Sequence, residues 1–166
     1  MIGKARSRGA LFLCEVDERE RVFSILRQVL FARREVVFAY VYGSFLEDGP
    51  FHDIDVGVYL FAAGDRGSTR KAAELAMELE RALVEARVTS AHVSQRIDAE
   101  TRRLPVDVRV LNGAPLSFCY HVLKGCMLCS RNEELRVRWV EGIVSRYLDL
   151  KPLRHWALKE AMSSWD

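Results

Sequence analysis

The amino-acid sequence predicts an α/β (α+β) fold, a small mixed sheet flanked by helices, with further helices at the C-terminus. The run Val36–Tyr42 is β-branched, aromatic and nearly uncharged, which favours a strand buried on both faces. By contrast, Arg70–Arg87 places its apolar residues on one stripe, as an amphipathic helix does. Segments of the two kinds alternate along 166 residues, and this length suits one domain.

The remaining core elements follow from the same two periodicities. Helices are predicted where apolar residues recur at helical spacing, and strands where short, mostly apolar runs are bounded by glycine, proline or charged residues. These patterns give helices at Glu18–Arg34 and Pro115–Lys124, and strands at Asp53–Leu60, Leu104–Leu111 and Cys126–Ser130.

Two segments are predicted to connect these elements. Gly64, Gly67 and Ser68 indicate a loop before the second helix, because glycine and serine interrupt regular structure. Thr89–Arg103 is polar, mixed in charge and without a clear period. We interpret it as a long connection or an irregular helical insertion.

The C-terminal part of the sequence predicts two helices. Apolar residues recur at helical spacing from Asn132 onward, and Pro152 suits the first turn of a second helix. We therefore expect a single domain over residues 1–166, with a core of residues 17–130 and a helical extension of residues 131–166.

Charge and hydropathy argue against three classes: proteins that bind nucleic acid through a strong overall charge, membrane-spanning proteins and secreted proteins. The formal net charge is only +2, so no global field demands nucleic acid or an anionic membrane as a partner. No apolar run approaches the roughly 18 residues of a membrane span, and the basic N-terminus lacks a secretory core. The simplest expectation is a cytoplasmic protein.

The four cysteines are Cys14, Cys119, Cys126 and Cys129. The last two have the C-x-x-C spacing of some metal sites. In a strand, however, residues three apart point to opposite faces, so these thiols are expected to diverge. Reduced cysteines that act as small hydrophobic residues are the preferred interpretation.

The most informative pattern is a pair of acids, Asp53 and Asp55, at the start of a predicted strand. One residue separates them, so both side chains leave the same face. Close carboxylates repel each other unless a cation neutralises them, and such oxygen ligands suit Mg²⁺ or Mn²⁺. The preceding turn, Gly43-Ser44, can approach a ligand closely and donate hydrogen bonds to phosphate oxygens.

A third acid, Asp107, interrupts an otherwise apolar strand, where an unpaired charge would be costly. It is the natural third metal ligand or general base. Together the acids and the turn have the arrangement that two-metal nucleotidyl transfer needs. The site residues are then Asp53, Asp55 and Asp107 as catalytic and metal-binding groups, with Gly43 and Ser44 binding the nucleotide.

These residues resemble the signature of the DNA polymerase β-like nucleotidyltransferase superfamily, and most of all its minimal nucleotidyltransferases, the MntA-like antitoxins. The resemblance implies a nucleotidyltransferase fold and AMP transfer from ATP, with Mg²⁺ or Mn²⁺, to a tyrosine of a HEPN-domain ribonuclease toxin. It extends from about Val36 to Pro152 and rests on Val41-Tyr42-Gly43-Ser44, Asp53-Ile54-Asp55 and Val106-Asp107-Val108.

Two other functions stay open. The loop Phe45–His52 has eight residues and includes Glu47 and Asp48, whereas the family usually has a longer loop, often with an arginine. A weak or inactive enzyme that neutralises its partner by binding alone is therefore the alternative. A small-molecule nucleotidyltransferase, such as one that modifies an aminoglycoside, would need a second substrate region for which little chain remains.

Single residues near the motifs have competing interpretations. Arg109 shares the face of Asp107 and could contact a phosphate, but an ion pair with an acid is favoured. His52 is interpreted as a loop residue. Trp139 is expected to pack in the core, whereas Trp165, at the chain end, is the best candidate for a partner interface.

Overall fold

A four-stranded mixed sheet organises the protein in the computed structural model, which describes residues 11–61, 65–88, 91–92 and 104–163. No helix in these ranges is long and apolar enough to cross a membrane. The elements in chain order are β1 (Phe12–Leu13), α1 (Val16–Ala32), β2 (Val36–Tyr42), the short 3₁₀ helix η1 (Ser44–Leu46), β3 (Ile54–Leu60), α2 (Asp65–Glu85), β4 (Ala91–His92), β5 (Val106–Val110), α3 (Leu116–Val122), β6 (Cys126–Ser130) and α4 (Glu133–Ser163).

The sheet has the strand order β5-β3-β2-β6. Strand β2 pairs antiparallel with both β3 and β6, whereas β3 and β5 are parallel. All seven residues of β2 are buried, which confirms the prediction of a strand covered on both faces. The mixed α/β architecture predicted from the sequence is likewise confirmed.

Two helical layers cover the sheet. Helices α1 and α2 pack on one face, where their apolar stripes meet alternate residues of the strands. Helix α3 and the start of α4 cover the other face. There Trp139 contacts Phe38 and Tyr59, with ring centroids 5.2 Å and 6.1 Å away, so its predicted place in the core is confirmed.

Side-chain hydrogen bonds stabilise both ends of the parallel pair β3–β5. The Asn112 side chain accepts a hydrogen bond from the Leu60 amide at 2.8 Å and donates one to the Leu60 carbonyl at 2.9 Å. At the other end, the Val106 amide donates to Glu80 of α2 at 3.0 Å. These bonds hold β5 against both β3 and α2.

The predicted loop at Gly67 and Ser68 is wrong, because α2 already begins at Asp65. A glycine costs only about 1 kcal/mol in a helix. The apolar stripe of α2, including buried Leu75 and Leu79, is long enough to outweigh that cost. Gly64 and most of Thr89–Arg103 lie outside the described residues.

The prediction of two C-terminal helices is also wrong, because α4 runs without interruption from Glu133 to Ser163 and contains Pro152. Proline removes one hydrogen bond from a helix interior, but its fixed φ of about −65° is itself helical. A single proline therefore need not end a helix. Trp165 lies outside the described residues.

Substitution of Gly125, just before β6, tests how tightly the start of this strand packs. A Cβ atom on Gly125 would lie 2.1 Å from the Val41 carbonyl oxygen and 2.9 Å from the Tyr42 Cβ atom. Gly125→Ala is therefore expected to lower the free energy of unfolding by about 1–3 kcal/mol. Gly67→Ala is the control: it meets nothing within 4 Å and should be neutral or stabilising by up to about 1 kcal/mol. Urea unfolding measures both, and equal stabilities would contradict the packing described.

Candidate functional site

Two carboxylates lie side by side where the parallel strands β3 and β5 begin. Asp55 of β3 and Asp107 of β5 are register partners in the parallel pair, and both are half-buried. Their neighbours Val56 and Val108 are buried against α1 and α2. Because side chains alternate along a strand, the two carboxylates lie on the opposite face, towards α3.

Asp53 lies one residue before β3 and is half-buried. The Ile54 side chain between the two acids is fully buried. The Ile54 amide donates to the Pro105 carbonyl at 2.9 Å, which joins the starts of β3 and β5. His52, just before this segment, is exposed.

The turn after β2 brings the backbone against Asp55. Gly43 has φ of 82° and ψ of −164°, a conformation that other residues rarely adopt. A Cβ atom at Gly43 would lie 2.3 Å from Oδ2 of Asp55, so only glycine fits beside this carboxylate. In η1 the Leu46 amide donates to the Gly43 carbonyl at 3.1 Å. The amides of Ser44 and Phe45 precede that bond and have no partner within η1.

The loop between the turn and the acids is anchored by aromatic residues. Phe45 and Phe51 are buried and pack edge to face with ring centroids 5.1 Å apart. The Phe51 and Phe12 backbones exchange two hydrogen bonds, of 2.8 Å and 3.0 Å. Asp48 of the same loop pairs at 3.8 Å with Arg19 of α1. Asp48 is fully exposed, and its partner Arg19 belongs to the helix on the opposite face of the sheet from the Asp55 and Asp107 carboxylates.

Arg109 pairs with Asp107, which confirms the favoured interpretation of this arginine. Its Nε donates to Oδ2 of Asp107 at 3.0 Å, and this hydrogen bond raises the pKa of the guanidinium. The guanidinium also lies 5.7 Å from the centre of the Phe118 ring. One oxygen of Asp107 is therefore engaged by a cation of the chain itself.

Tyr42, at the end of β2, is the residue that the sequence analysis missed. It is only 5% exposed, and its hydroxyl has no hydrogen-bond partner among the described residues. Burial raises the pKa of this phenol, as do the charges of Asp55, Asp107 and Asp53, whereas Arg109 opposes them. The hydroxyl therefore lies within the field of all three acids. The only signal in the sequence was a phenol directly before Gly43.

The donor set suits a hard divalent cation, since it consists of carboxylates at one strand edge. Within the described ranges, no three His, Cys, Asp or Glu side chains are close enough to hold a metal ion together. The three acids thus have the ligand chemistry that Mg²⁺ or Mn²⁺ needs, and they lie at neighbouring positions of β3 and β5. To bind one ion together, their side chains would have to move closer to each other. The hydrogen bond from Arg109 to Asp107 would then have to lengthen or break.

A second glycine pair tests the contact between the turn and Asp55. Gly43 and Gly113 both have positive φ, of 82° and 68°, so an alanine at either should cost about 1–3 kcal/mol in backbone strain. Only at Gly43 must the new methyl group also displace Asp55, since nothing lies within 4 Å of a Cβ atom at Gly113. We expect Gly43→Ala to be the more destabilising in urea unfolding. Equal losses would show that Asp55 does not rest on this glycine.

Known structures share this fold over most of their length. A tri-AMPylated Shewanella oneidensis HEPN toxin in complex with MNT antitoxin includes a chain that is 20% identical, with a TM-score of 0.54, and the alignment covers 87% of this chain and 96% of that one. A toxin–antitoxin structure with AMP-PNP gives 20% identity and a TM-score of 0.55, covering 87% and 98%. A variant of the MntA–HpeT toxin–antitoxin complex gives 19% and 0.56, also covering 87% and 98%.

Sequence comparison identifies the family. No curated protein matches the chain significantly. The family model described as Polymerase beta, Nucleotidyltransferase matches residues 25–134, which include β2, the Gly43 turn, all three acids and β6. The match spans about two thirds of the 166 residues and contains all of the candidate site residues. The chain therefore belongs to the polymerase beta nucleotidyltransferase family.

Proposed function

We propose that this protein is a metal-dependent adenylyltransferase that transfers AMP from ATP to a tyrosine of a HEPN-type ribonuclease toxin and so acts as its antitoxin. The observation that carries the proposal is the placement of Asp55 and Asp107 as register partners directly beside the Gly43 turn. Support comes from the structures with the same fold, which include an AMPylated HEPN toxin with its antitoxin and a complex with AMP-PNP.

The turn is suited to the triphosphate. The amides of Ser44 and Phe45 have no partner within η1, and the Ser44 hydroxyl is half-buried beside them. Backbone amides and a hydroxyl of this kind donate to phosphate oxygens. Gly43 and Ser44 are therefore the proposed nucleotide-binding residues, and the absence of a side chain at Gly43 lets the nucleotide approach Asp55.

The acids are assigned to the reacting centre. Asp53 and Asp55, with Asp107, are the proposed ligands of Mg²⁺ or Mn²⁺, which when bound would act as a Lewis acid on the phosphoryl oxygens. The tyrosine oxygen of the toxin forms a bond to the α-phosphorus, the bond from that phosphorus to the bridging oxygen breaks, and pyrophosphate leaves. Asp107 accepts the phenolic proton.

Loss of one proposed ligand should abolish transfer without unfolding the protein. We expect Asp53→Asn, and separately Asp55→Asn, to slow labelling of the toxin by labelled ATP at least about a hundredfold, because several kcal/mol of charge stabilisation are removed. In this experiment the purified protein is incubated with the toxin encoded beside it, labelled ATP and Mg²⁺. The rate at which the toxin is labelled is measured, and the labelled amino acid is then identified.

Asp48→Asn is the matched control, since Asp48 lies in the loop and pairs with Arg19 instead. It should label the toxin at the rate of the unaltered protein. If the native protein with metal leaves the partner unlabelled, or if the label lies on a residue other than tyrosine, the proposed reaction is wrong.

A second candidate function is neutralisation by binding alone. Two observations favour it: in the described part of the chain the acids do not form a ready metal cluster, and α4 leaves Leu148 and Leu150 about half exposed. These two leucines lie on different faces of the helix, and each could contact a partner protein.

A double variant, Asp53→Asn with Asp55→Asn, separates the two functions. Binding alone predicts that this variant still protects cells from the toxin as well as the native protein does. The transferase predicts that protection is lost while the two proteins still form a complex in a pull-down. Cell growth with the toxin induced is the measurement.

A further inference from the structure

The Tyr42 hydroxyl is a buried polar group that the proposed reaction does not yet use. It has no hydrogen-bond partner among the described residues, and the rings of Phe118 and His121 close around the phenol with centroids 5.7 Å away. A buried hydroxyl without a partner destabilises the folded protein, because it has lost its hydrogen bonds to water. An unpaired buried hydroxyl needs an explanation. One explanation is that the hydroxyl gains a hydrogen-bond partner when the site binds its ligands.

Among the three acids, Asp55 exerts the strongest charge effect on this hydroxyl. Tyr42 and Asp55 are directly opposite each other in the antiparallel pair β2–β3, and opposite residues carry their side chains on the same face. The next residue, Gly43, has the Asp55 Oδ2 atom against its backbone. The Asp55 carboxylate therefore lies on the same face of the sheet as the phenol and next to the turn that follows it.

We propose that Tyr42 is a positioning residue, whose hydroxyl donates a hydrogen bond to the Asp55 carboxylate when nucleotide and cation occupy the site. This inference rests on the proposed function, because it assigns Asp55 to the cation. A metal-binding carboxylate that accepts a hydrogen bond from a neighbouring side chain is held in one orientation, and the loss of such a partner typically weakens metal affinity 10- to 100-fold.

The test compares two tyrosines on the same face of β2. Tyr42→Phe removes only the hydroxyl and keeps the ring contacts. Tyr40→Phe is the matched control, because the Tyr40 hydroxyl instead accepts a hydrogen bond from Arg136 at 2.8 Å. Calorimetry measures the affinity for AMP-PNP with and without Mn²⁺, and the thermal midpoint of the ligand-free protein is recorded for each variant.

We expect Tyr42→Phe to weaken Mn²⁺-dependent binding roughly 10- to 100-fold, with the affinity in the absence of metal nearly unchanged. Its ligand-free midpoint should stay equal or rise, since an unpaired buried hydroxyl is removed. Tyr40→Phe should keep the native affinity and lower the midpoint, because Arg136 loses an acceptor.

Three results would overturn the inference. Native affinity of Tyr42→Phe would show that the hydroxyl has no role in binding, and an equal loss with and without metal would show that it does not act through Asp55. A lower ligand-free midpoint with a parallel loss of affinity would make its role structural. If the unaltered protein binds no nucleotide, the proposed function itself fails, which is a distinct outcome.

Discussion

The parallel pairing of β3 with β5 is the constraint on which the site depends. Asp55 and Asp107 come from strands far apart in the chain, with α2 between them, and only the register of this pair makes them neighbours. A slip by one residue would turn Asp107 into the core and bring Val108 to the site. The burial of Val106 and Val108 against α2 opposes that slip, so hydrophobic packing on one face fixes the position of the acids on the other.

The other side of the site depends on how β2 ends. This strand is buried along its whole length, and its last residue places a phenol among the acids before the chain turns at Gly43. The turn costs little only because glycine tolerates positive φ, and the same missing side chain makes room for Asp55. One residue thus satisfies a backbone requirement and a steric requirement together, which explains why Asp55 and the amides of the turn can approach each other closely.

The strands were predictable because their signals are local. Val36–Tyr42 and Cys126–Ser130 match the structure residue for residue, since short, largely apolar runs bounded by glycine or charged residues leave few alternatives. The helix ends were less predictable: a glycine within α2 and Pro152 within α4 act as breakers in sequence, whereas packing and continued hydrogen bonding outweigh them.

The sequence pattern gave Asp53, Asp55 and Asp107 as a group, but not which strands pair or in what register, because pairing is decided by long-range packing. Tyr42 was missed for a related reason: as a member of an apolar run it was interpreted as core, and only the fold shows that its hydroxyl lies among charges. The burial of Phe45 and Phe51 likewise shows that the short loop is anchored in the core, which its acidic residues did not indicate.

The most direct measurement of the central claim, that these acids form a nucleotide–metal site, is a crystal structure with AMP-PNP and Mn²⁺ in which anomalous scattering locates the metal. The claim predicts Mn²⁺ about 2.1 Å from carboxylate oxygens of Asp53 and Asp55, with the phosphates at the Gly43-Ser44 turn. Nucleotide bound elsewhere on the protein, or bound at this turn with Mn²⁺ away from both acids, would contradict it.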